Sequence, residues 1–218
     1  MSKRLGIAIA LLVLFSTYKP QKIFLSGKFN IQEINIENNY ILSDEEIKND
    51  LSSIYNTSLF FLNTDIIKKI LIQKNFVHSF KIKKIYPNTL KIKIFEKKPI
   101  AILQYKKNKF FYTERGNLIN YQNLKKYENL PVVFGAKDNF EKLYNDFKKI
   151  NFSIHQIKFF YYFKSNRWDL LTLKDQLVKL PIENYILSLE NFIELRNKNN
   201  FDKYKIFDYR INNQLILK

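Results

Sequence analysis

Apolar and polar positions follow first a strand period and then a helical period in the chain beyond residue 30. Apolar residues alternate roughly with polar ones over 31–36, which predicts a short strand. Ser43 with Glu46 forms a capping-box pattern that predicts a helix start, and an apolar stripe at helical spacing follows it. A second helix is predicted to open at Asn63 or Thr64. Two helices therefore follow one strand.

The apolar period returns to two over 76–95, and Tyr86-Pro87-Asn88 marks a turn between two strands. The residues that alternate with the apolar ones are mostly lysines, namely Lys81, Lys83, Lys91 and Lys93. One face of this sheet is therefore predicted to be apolar and covered by the two helices, and the other to be a lysine face. The predicted order is strand, helix, helix, strand, strand.

The second half of the chain, from about Lys98-Pro99, reads mainly as strands. They are predicted near 100–105, 109–113, 118–121, 157–163, 168–173, 205–210 and 214–217. Asp138 with Glu141 predicts the cap of one helix, and the longest helix is predicted to begin around Pro181. These elements predict a mostly antiparallel β domain with two helices.

The N-terminus has the pattern of a membrane signal-anchor. Lys3 and Arg4 precede the apolar run 5–15, and positive charge before such a run places its start in the cytoplasm. The run is short for a membrane span, but 16–25 adds interfacial and apolar residues, which predicts a transmembrane helix over 5–25 and a cytoplasmic head over 1–4. The alternative is a cleaved signal peptide, against which no small-x-small site ends the run. Both interpretations export the remainder of the chain.

Composition excludes several classes of function. A hydrophobic fraction of 46% suits a folded protein, and a net charge of +17 is typical of nucleic-acid or anionic-membrane binding. The lysines are spread along the whole chain, however, so they form no concentrated basic patch and we predict no nucleic-acid binding. The absence of cysteine excludes disulfides and thiolate metal sites.

The sequence offers little to a catalytic mechanism. His78 and His155 belong to no nucleophile or metal spacing, and the four glycines form no phosphate-binding loop. The paired carboxylates Glu45 and Glu46 lie at a helix start, where the helix dipole explains them. We predict that the chain is not an enzyme and takes no cofactor, metal or small-molecule substrate.

Several motifs resemble the POTRA domain of the FtsQ/DivIB cell-division proteins. The hairpin at 75–94 matches the family's pattern of an aromatic-Val pair, P-x-T-L and I-x-I, and Phe95-Glu-Lys-Lys-Pro-Ile-Ala is similar to its exit. The likeness continues more weakly through 111–119, 168–173 and 207–210. The resemblance implies an α+β fold: an N-terminal transmembrane helix, a β-α-α-β-β POTRA domain over 26–98, and an FtsQ-type β domain over 99–218.

The resemblance also implies a function. Family members scaffold the divisome at the septum of the inner membrane and bind the FtsB and FtsL proteins on its periplasmic side. If the last strand ends the sheet, its unpaired backbone groups can accept a partner strand. The positions predicted near this contact are Tyr209, Ile211, Asn213, Leu215 and Leu217. The lysine face is a possible secondary contact for an anionic lipid or an acidic partner.

Two alternatives from other classes remain open at this point. POTRA domains also serve as envelope assembly or secretion chaperone modules, but those precede a series of alternating membrane strands that this sequence lacks after the POTRA-like segment. A membrane-anchored cell-wall enzyme is the second alternative, and it requires a clustered His, Asp or Glu site. A zymogram on the purified protein distinguishes it from a binding module.

Overall fold

A computed structural model describes residues 3–17, 27–211 and 214–218 of the chain. Contacts divide the chain into two compact units, residues 1–95 and 96–218. Asn213, one of the predicted contact positions, lies outside the described residues.

The first helix, α1, spans Lys3–Thr17 and is 15 residues long. The prediction of a transmembrane helix over 5–25 is wrong, because no helix within the described ranges is both long enough and apolar enough to cross a membrane. At a rise of 1.5 Å per residue, α1 measures roughly 22 Å, and a bilayer core is about 30 Å thick. The residues that the prediction added to reach that length, 18–25, lie outside the described residues.

The rest of the first unit has the predicted POTRA order. Its elements are β1 (Glu33–Glu37), α2 (Asp44–Asp50), α3 (Thr64–Ile72), β2 (Val77–Ile85) and β3 (Thr89–Glu96). The three strands form one sheet in the order β1-β3-β2, with β1 parallel to β3. Both long edges of this small sheet therefore belong to β1 and β2.

Local caps and an apolar core explain why these segments fold as they do. The Ser43 hydroxyl accepts a hydrogen bond from the Glu46 amide at 3.1 Å, and the Asn63 side chain accepts one from the Asp65 amide at 2.9 Å. Both predicted helix starts are therefore confirmed. The buried apolar side chains of the helices and of β3 are Ile47, Leu51, Ile67, Leu71, Leu90, Ile92 and Ile94.

The second unit contains a 9-stranded sheet and two helices. Its strands are β4 (Pro99–Tyr105), β5 (Asn108–Thr113), β6 (Leu118–Asn120), β7 (Val132–Phe134), β8 (Ile157–Tyr162), β9 (Trp168–Thr172), β10 (Leu177–Lys179), β11 (Ile206–Asp208) and β12 (Ile216–Leu217), and its helices are α4 (Lys137–Lys149) and α5 (Tyr185–Arg196). Across the sheet the order is β12-β11-β10-β9-β8-β7-β4-β5-β6.

The sheet is mixed, with antiparallel pairs in the majority. Five neighbouring pairs are antiparallel, and three, β4 with β7, β7 with β8 and β10 with β11, are parallel. The sequence did not predict β7, which lies between β4 and β8 and pairs with both. Parallel neighbours are joined by long connections, so local patterns do not indicate them.

Both helices of the second unit pack on the same apolar core. Phe140, Leu143 and Phe147 of α4 and Leu189 and Phe192 of α5 are buried in one cluster with the sheet. Aromatic side chains dominate this cluster: the Phe140 and Phe160 ring centroids lie 5.3 Å apart, and Phe192 and Phe207 lie 5.0 Å apart. Such edge-to-face pairs add to the free energy of burial.

The start of α5 differs from the prediction. The helix begins at Tyr185 rather than around Pro181, and its 12 residues are fewer than the 13 of α4 and the 15 of α1. The delay has a tertiary cause, because the Leu180 amide still donates to the Trp168 carbonyl at 3.0 Å and so extends the sheet. Likewise α4 begins after Ala136, without a side-chain cap from Asp138.

Candidate functional site

The carboxyl-terminal strand β12 lies at one end of the nine-stranded sheet. It pairs antiparallel with β11, with Leu217 opposite Phe207 and Ile216 opposite Asp208. Its other side faces no strand within the described part of the chain. The last strand of the protein is therefore an edge strand.

Backbone alternation shows which groups of β12 point to the free edge. Ile206 and Lys218 exchange two hydrogen bonds, at 3.0 and 3.1 Å. In an antiparallel ladder such hydrogen-bonded pairs alternate with non-hydrogen-bonded ones, so the opposed pair of Phe207 and Leu217 is of the second kind. The N–H and C=O of Leu217 consequently point away from β11, where another strand can pair with them.

The side chains of this terminal segment divide between core and solvent. Leu215 and Leu217 pack against the apolar core beneath α5, whereas Ile211 and Ile216 are exposed. A partner strand would meet exposed apolar side chains as well as free backbone groups. Edge strands that avoid pairing usually carry charge, and among residues 214–218 only Lys218, directly after the two residues of β12, carries one.

A pocket of about 570 Å³ opens beside the edge strand, between α5 and the terminal segment. The predicted positions Tyr209, Ile211 and Leu215 line it together with Leu187 and Asn191 of α5. The α5 residues could not be identified from the sequence, because their periodicity indicates only one more helix face. The fold therefore brings three of the predicted positions together and adds a helix wall to them.

Tyr209 is buried, and its role is fixed by one polar contact. Its hydroxyl donates to the Asn191 side-chain oxygen at 2.9 Å. Burial raises the pKa of this phenol well above its ordinary value, so it stays a neutral donor. Tyr209 thus lines the pocket and, directly after β11, joins that strand to α5 through Asn191.

Charged side chains cluster on the helix-free face next to the edge strand. Arg210 forms a bidentate pair with Asp208, with Arg210 Nη2 at 2.6 Å from Asp208 Oδ2, and this hydrogen bonding lowers the pKa of the Asp208 carboxyl. Asp169 is bonded to Arg167 at 3.1 Å, but desolvation by burial dominates and raises its pKa. Lys179 lies between the two aspartates in the strand register.

The predicted lysine face in the first unit is only partly free. Lys91 forms an ion pair with Glu37 at 2.6 Å. The ammonium groups of Lys81 and Lys93 lie 5.9 and 5.7 Å from the centroid of the Phe95 ring. Lys83 is exposed on β2. Glu37 is close enough to lower the positive charge at the β1 side of this face, so the remaining charge is concentrated toward β2.

The described side chains form no metal-binding cluster. Within ranges 3–17, 27–211 and 214–218, no group of three or more His, Asp or Glu residues is arranged to hold a metal ion. His78 and His155 are both exposed. The prediction that the chain is not an enzyme stays a prediction.

Comparison with known proteins accounts for both units. Residues 29–97 match the POTRA domain, FtsQ-type, and residues 101–210 match the family described as cell division protein FtsQ/DivIB, C-terminal. The chain belongs to the FtsQ/DivIB family. The second match alone covers half of the sequence and ends at Arg210, before the edge strand of this FtsQ/DivIB chain.

Relatives that match most of this chain are also cell division proteins, which agrees with the family assignment. Cell division protein FtsQ of Rickettsia bellii is 29% identical over 195 residues, which cover 87% of this chain and 72% of that protein. The FtsQ of Rickettsia felis is 25% identical over 98% of this chain and 87% of its own length. The FtsQ of Agrobacterium fabrum is 25% identical over 74% of this chain and 52% of its own. The chain is a cell division protein.

Proposed function

We propose that this cell division protein is a non-catalytic scaffold that binds FtsB- and FtsL-type divisome proteins, and that a partner strand adds to β12. One observation carries the proposal: β12 ends the nine-stranded sheet and pairs only with β11 among the described residues. Strand addition uses backbone groups that the fold leaves outward, as at Leu217. The exposed side chains of Ile211 and Ile216 would set the register of the added strand.

The pocket beside β12 supports the same contact. Gln214 and Leu215, which directly precede β12, line this 570 Å³ space, so a strand that pairs with Leu217 and extends past β12 would approach it. The space is large enough for a bulky side chain of the partner. Well-packed anchors of this kind supply most of the binding free energy at protein interfaces. Affinity then comes from backbone pairing at Leu217 and from one anchored side chain.

We also propose a cellular location for the protein and a second contact surface on its first unit. The family assignment supports work at the septum, with both folded units on the periplasmic side of the inner membrane. On the lysine face, Lys81, Lys83 and Lys93 are the proposed secondary contact, because Glu37 already compensates Lys91. An alkaline phosphatase fusion to Lys218 tests the location, since the enzyme is active only when exported.

A proline substitution tests strand addition directly. Leu217→Pro removes an N–H that points away from the fold, and proline is tolerated on the outward side of edge strands. The expected result is retained folding and, relative to Leu217→Ala, which loses the same packed side chain, at least about a tenfold loss of affinity for the FtsB- and FtsL-type partners, because a backbone hydrogen bond to the partner strand is lost. Affinity is measured by titration of the purified complex components.

The other edge of the same sheet supplies a matched control. Tyr121 donates to the Lys109 carbonyl at 3.4 Å, so alternation turns the Asn120 amide of β6 outward in the same way. Asn120→Pro should leave affinity unchanged. The proposal is wrong if Leu217→Pro folds and still binds with the affinity of the unmodified chain.

A further inference from the structure

Three exposed aromatic residues of the first unit lie close together, because Phe60 and Phe61 are neighbours in the chain and Tyr86 stacks on Phe60. The rings of Phe60 and Tyr86 stack with their centroids 4.8 Å apart, and the Phe29 ring packs against Phe60 with a centroid distance of 5.0 Å. Phe60 is 44% exposed, Tyr86 51% and Phe61 83%. We call Phe60, Phe61 and Tyr86 the aromatic tip.

The aromatic tip differs from the single exposed apolar residues that are common on protein surfaces. A contiguous apolar group normally marks an interaction site. The two chain segments that carry it come from different parts of the sequence, the loop between α2 and α3 and the turn between β2 and β3. Stacking of the Tyr86 ring on the Phe60 ring joins these two segments.

The aromatic tip lies where the chain enters this unit. Leu59 donates to the Phe29 carbonyl at 2.9 Å, and Asn30 forms a bridge with Ser58. Residues 18–26 lead from α1 to this point, a reach of at most about 35 Å even when fully extended. The covalent chain therefore keeps Gly27 within about 35 Å of Thr17 at the end of α1. The leucine, isoleucine and phenylalanine side chains of α1 are exposed.

Positive charge accompanies the aromatic rings. The Lys84 ammonium group donates to the Phe60 carbonyl at 3.2 Å, so it lies at the base of the tip, and Lys28 is exposed next to Phe29. Aromatic rings with neighbouring lysines are the composition that proteins place at the headgroup level of a membrane. Lysines also attract anionic lipid headgroups, and the chain as a whole has a net charge of +17.

We propose that the aromatic tip docks on the headgroup layer of an anionic lipid bilayer. The rings enter the interface, and Lys28 and Lys84 face the anionic headgroups. A protein partner is the weaker explanation, because the apolar residues of α1 nearby in the chain also need apolar surroundings, which a lipid surface supplies to both. This surface belongs to the first unit, so it is independent of strand addition at β12.

A single fluorescent label tests the docking in the full chain. The sequence contains no cysteine, so Phe61→Cys carries the only thiol and can take an environment-sensitive fluorophore. The probe membranes are vesicles of phosphatidylethanolamine with 30% phosphatidylglycerol. The expected result is a blue-shifted emission on vesicle addition and quenching by lipids brominated near the headgroup.

Tyr40→Cys is the matched control. Tyr40 is an exposed aromatic residue, 72% accessible, and it follows the end of β1. Tyr86 of the aromatic tip precedes the start of β3, and β3 runs parallel to β1 with Thr89 opposite Glu33. The two labels therefore occupy opposite ends of the same small sheet. When the labelled protein is bound to the same vesicles, the emission of the fluorophore at position 40 should not shift and should not be quenched by the brominated lipid.

A second variant measures how much the tip contributes. Phe61→Ser should lower the partition coefficient of the full chain onto these vesicles by about tenfold, because it removes one buried ring from the interface. Vesicles of neutral phosphatidylcholine should bind the unmodified chain more weakly than anionic ones. An unshifted Phe61 label on protein that floats with the vesicles, or a label that shifts only after a protein partner is added, overturns the proposal.

Discussion

At the scale of single residues, Asp146 of α4 ties the two helices of the second unit together. Its carboxylate accepts hydrogen bonds from the Tyr185 hydroxyl at the start of α5 and from Lys149 at 2.6 Å. Burial on its own raises the pKa of Asp146, but these two bonds and the charge of Lys149 outweigh it and lower the pKa below the ordinary 3.8. The ionised form is therefore stabilised by the fold, next to the helix that walls the pocket.

The sign of this pKa change sets a pH dependence. A carboxyl whose pKa is lowered by folding contributes its full stability above the ordinary value of 3.8 and loses it as the pH falls through the lower, folded value. Asp146→Asn should reduce the free energy of unfolding by about 1–2 kcal/mol at pH 7, because a charged acceptor becomes a neutral one. The difference from the unmodified chain should shrink below pH 3.8.

Urea unfolding from pH 7 to pH 3, followed by the fluorescence of Trp168, measures this effect. Asp138→Asn in the first turn of the same helix is the control and should show no comparable loss, since Asp138 is exposed. If Asp146→Asn lowered the free energy of unfolding by the same amount at every pH, the fold would not stabilise the ionised form of Asp146.

At the scale of elements, β12 is short and depends on its neighbour. Only Ile216 and Leu217 form the strand, and the hydrogen bonds between Ile206 and Lys218 hold its end. The side chains of Leu215 and Leu217 anchor the segment on the apolar core. β12 is therefore held by β11 along one edge and by the apolar core on one face. Its other edge remains open to a partner strand.

Hydrogen exchange of single amides should show this asymmetry. The amide of Lys218 donates to the Ile206 carbonyl at 3.1 Å, so it should exchange slowly, whereas the outward amide of Leu217 should exchange fast. Binding of an FtsB-type partner should protect Leu217 and leave Lys218 little changed. The measurement is amide exchange by nuclear magnetic resonance, with Asn120 of the opposite edge as the amide that should stay unprotected in the complex. Fast exchange at Leu217 in both states would rule out strand addition at this position.

At the scale of the whole molecule, the chain is organised as two compact units with apolar cores of their own. The buried side chains Leu90, Ile92 and Ile94 belong to the first unit, and the cluster around Phe140 and Phe160 belongs to the second. The single tryptophan, Trp168, lies in the core of the second unit. Its fluorescence therefore reports the unfolding of one unit only.

We expect the two units to unfold independently. Ile92→Ala should destabilise the first unit by about 2–5 kcal/mol, because it leaves a cavity among fully buried side chains. The denaturant midpoint of the transition reported by Trp168 fluorescence should not change, whereas circular dichroism should show an additional transition at a lower denaturant concentration. Leu170→Ala in the second unit is the control that should move the Trp168 transition. A shift of that transition by Ile92→Ala would show that the units unfold together.

The sequence by itself determined the elements that depend on interactions between residues close in the chain. The capping residues Ser43 and Asn63, the alternation over 76–95 and the turn at Tyr86-Pro87-Asn88 specify the β-α-α-β-β order, because hydrogen bonds and apolar faces between close neighbours decide it. The same motifs carried the resemblance to the family. The prediction from the apolar pattern was wrong at the N-terminus, because no helix within the described ranges is long and apolar enough to cross a membrane, and the described helix there spans Lys3–Thr17.

Only the tertiary structure decided the features that depend on distant partners. The insertion of β7 between β4 and β8, the late start of α5 and the pocket shared by α5 and Leu215 all require contacts across the sheet. The sequence proposed an edge at the last strand but did not say which amides point outward. That direction follows from the register of β12 against β11, because period two makes a shift of one residue reverse every backbone group.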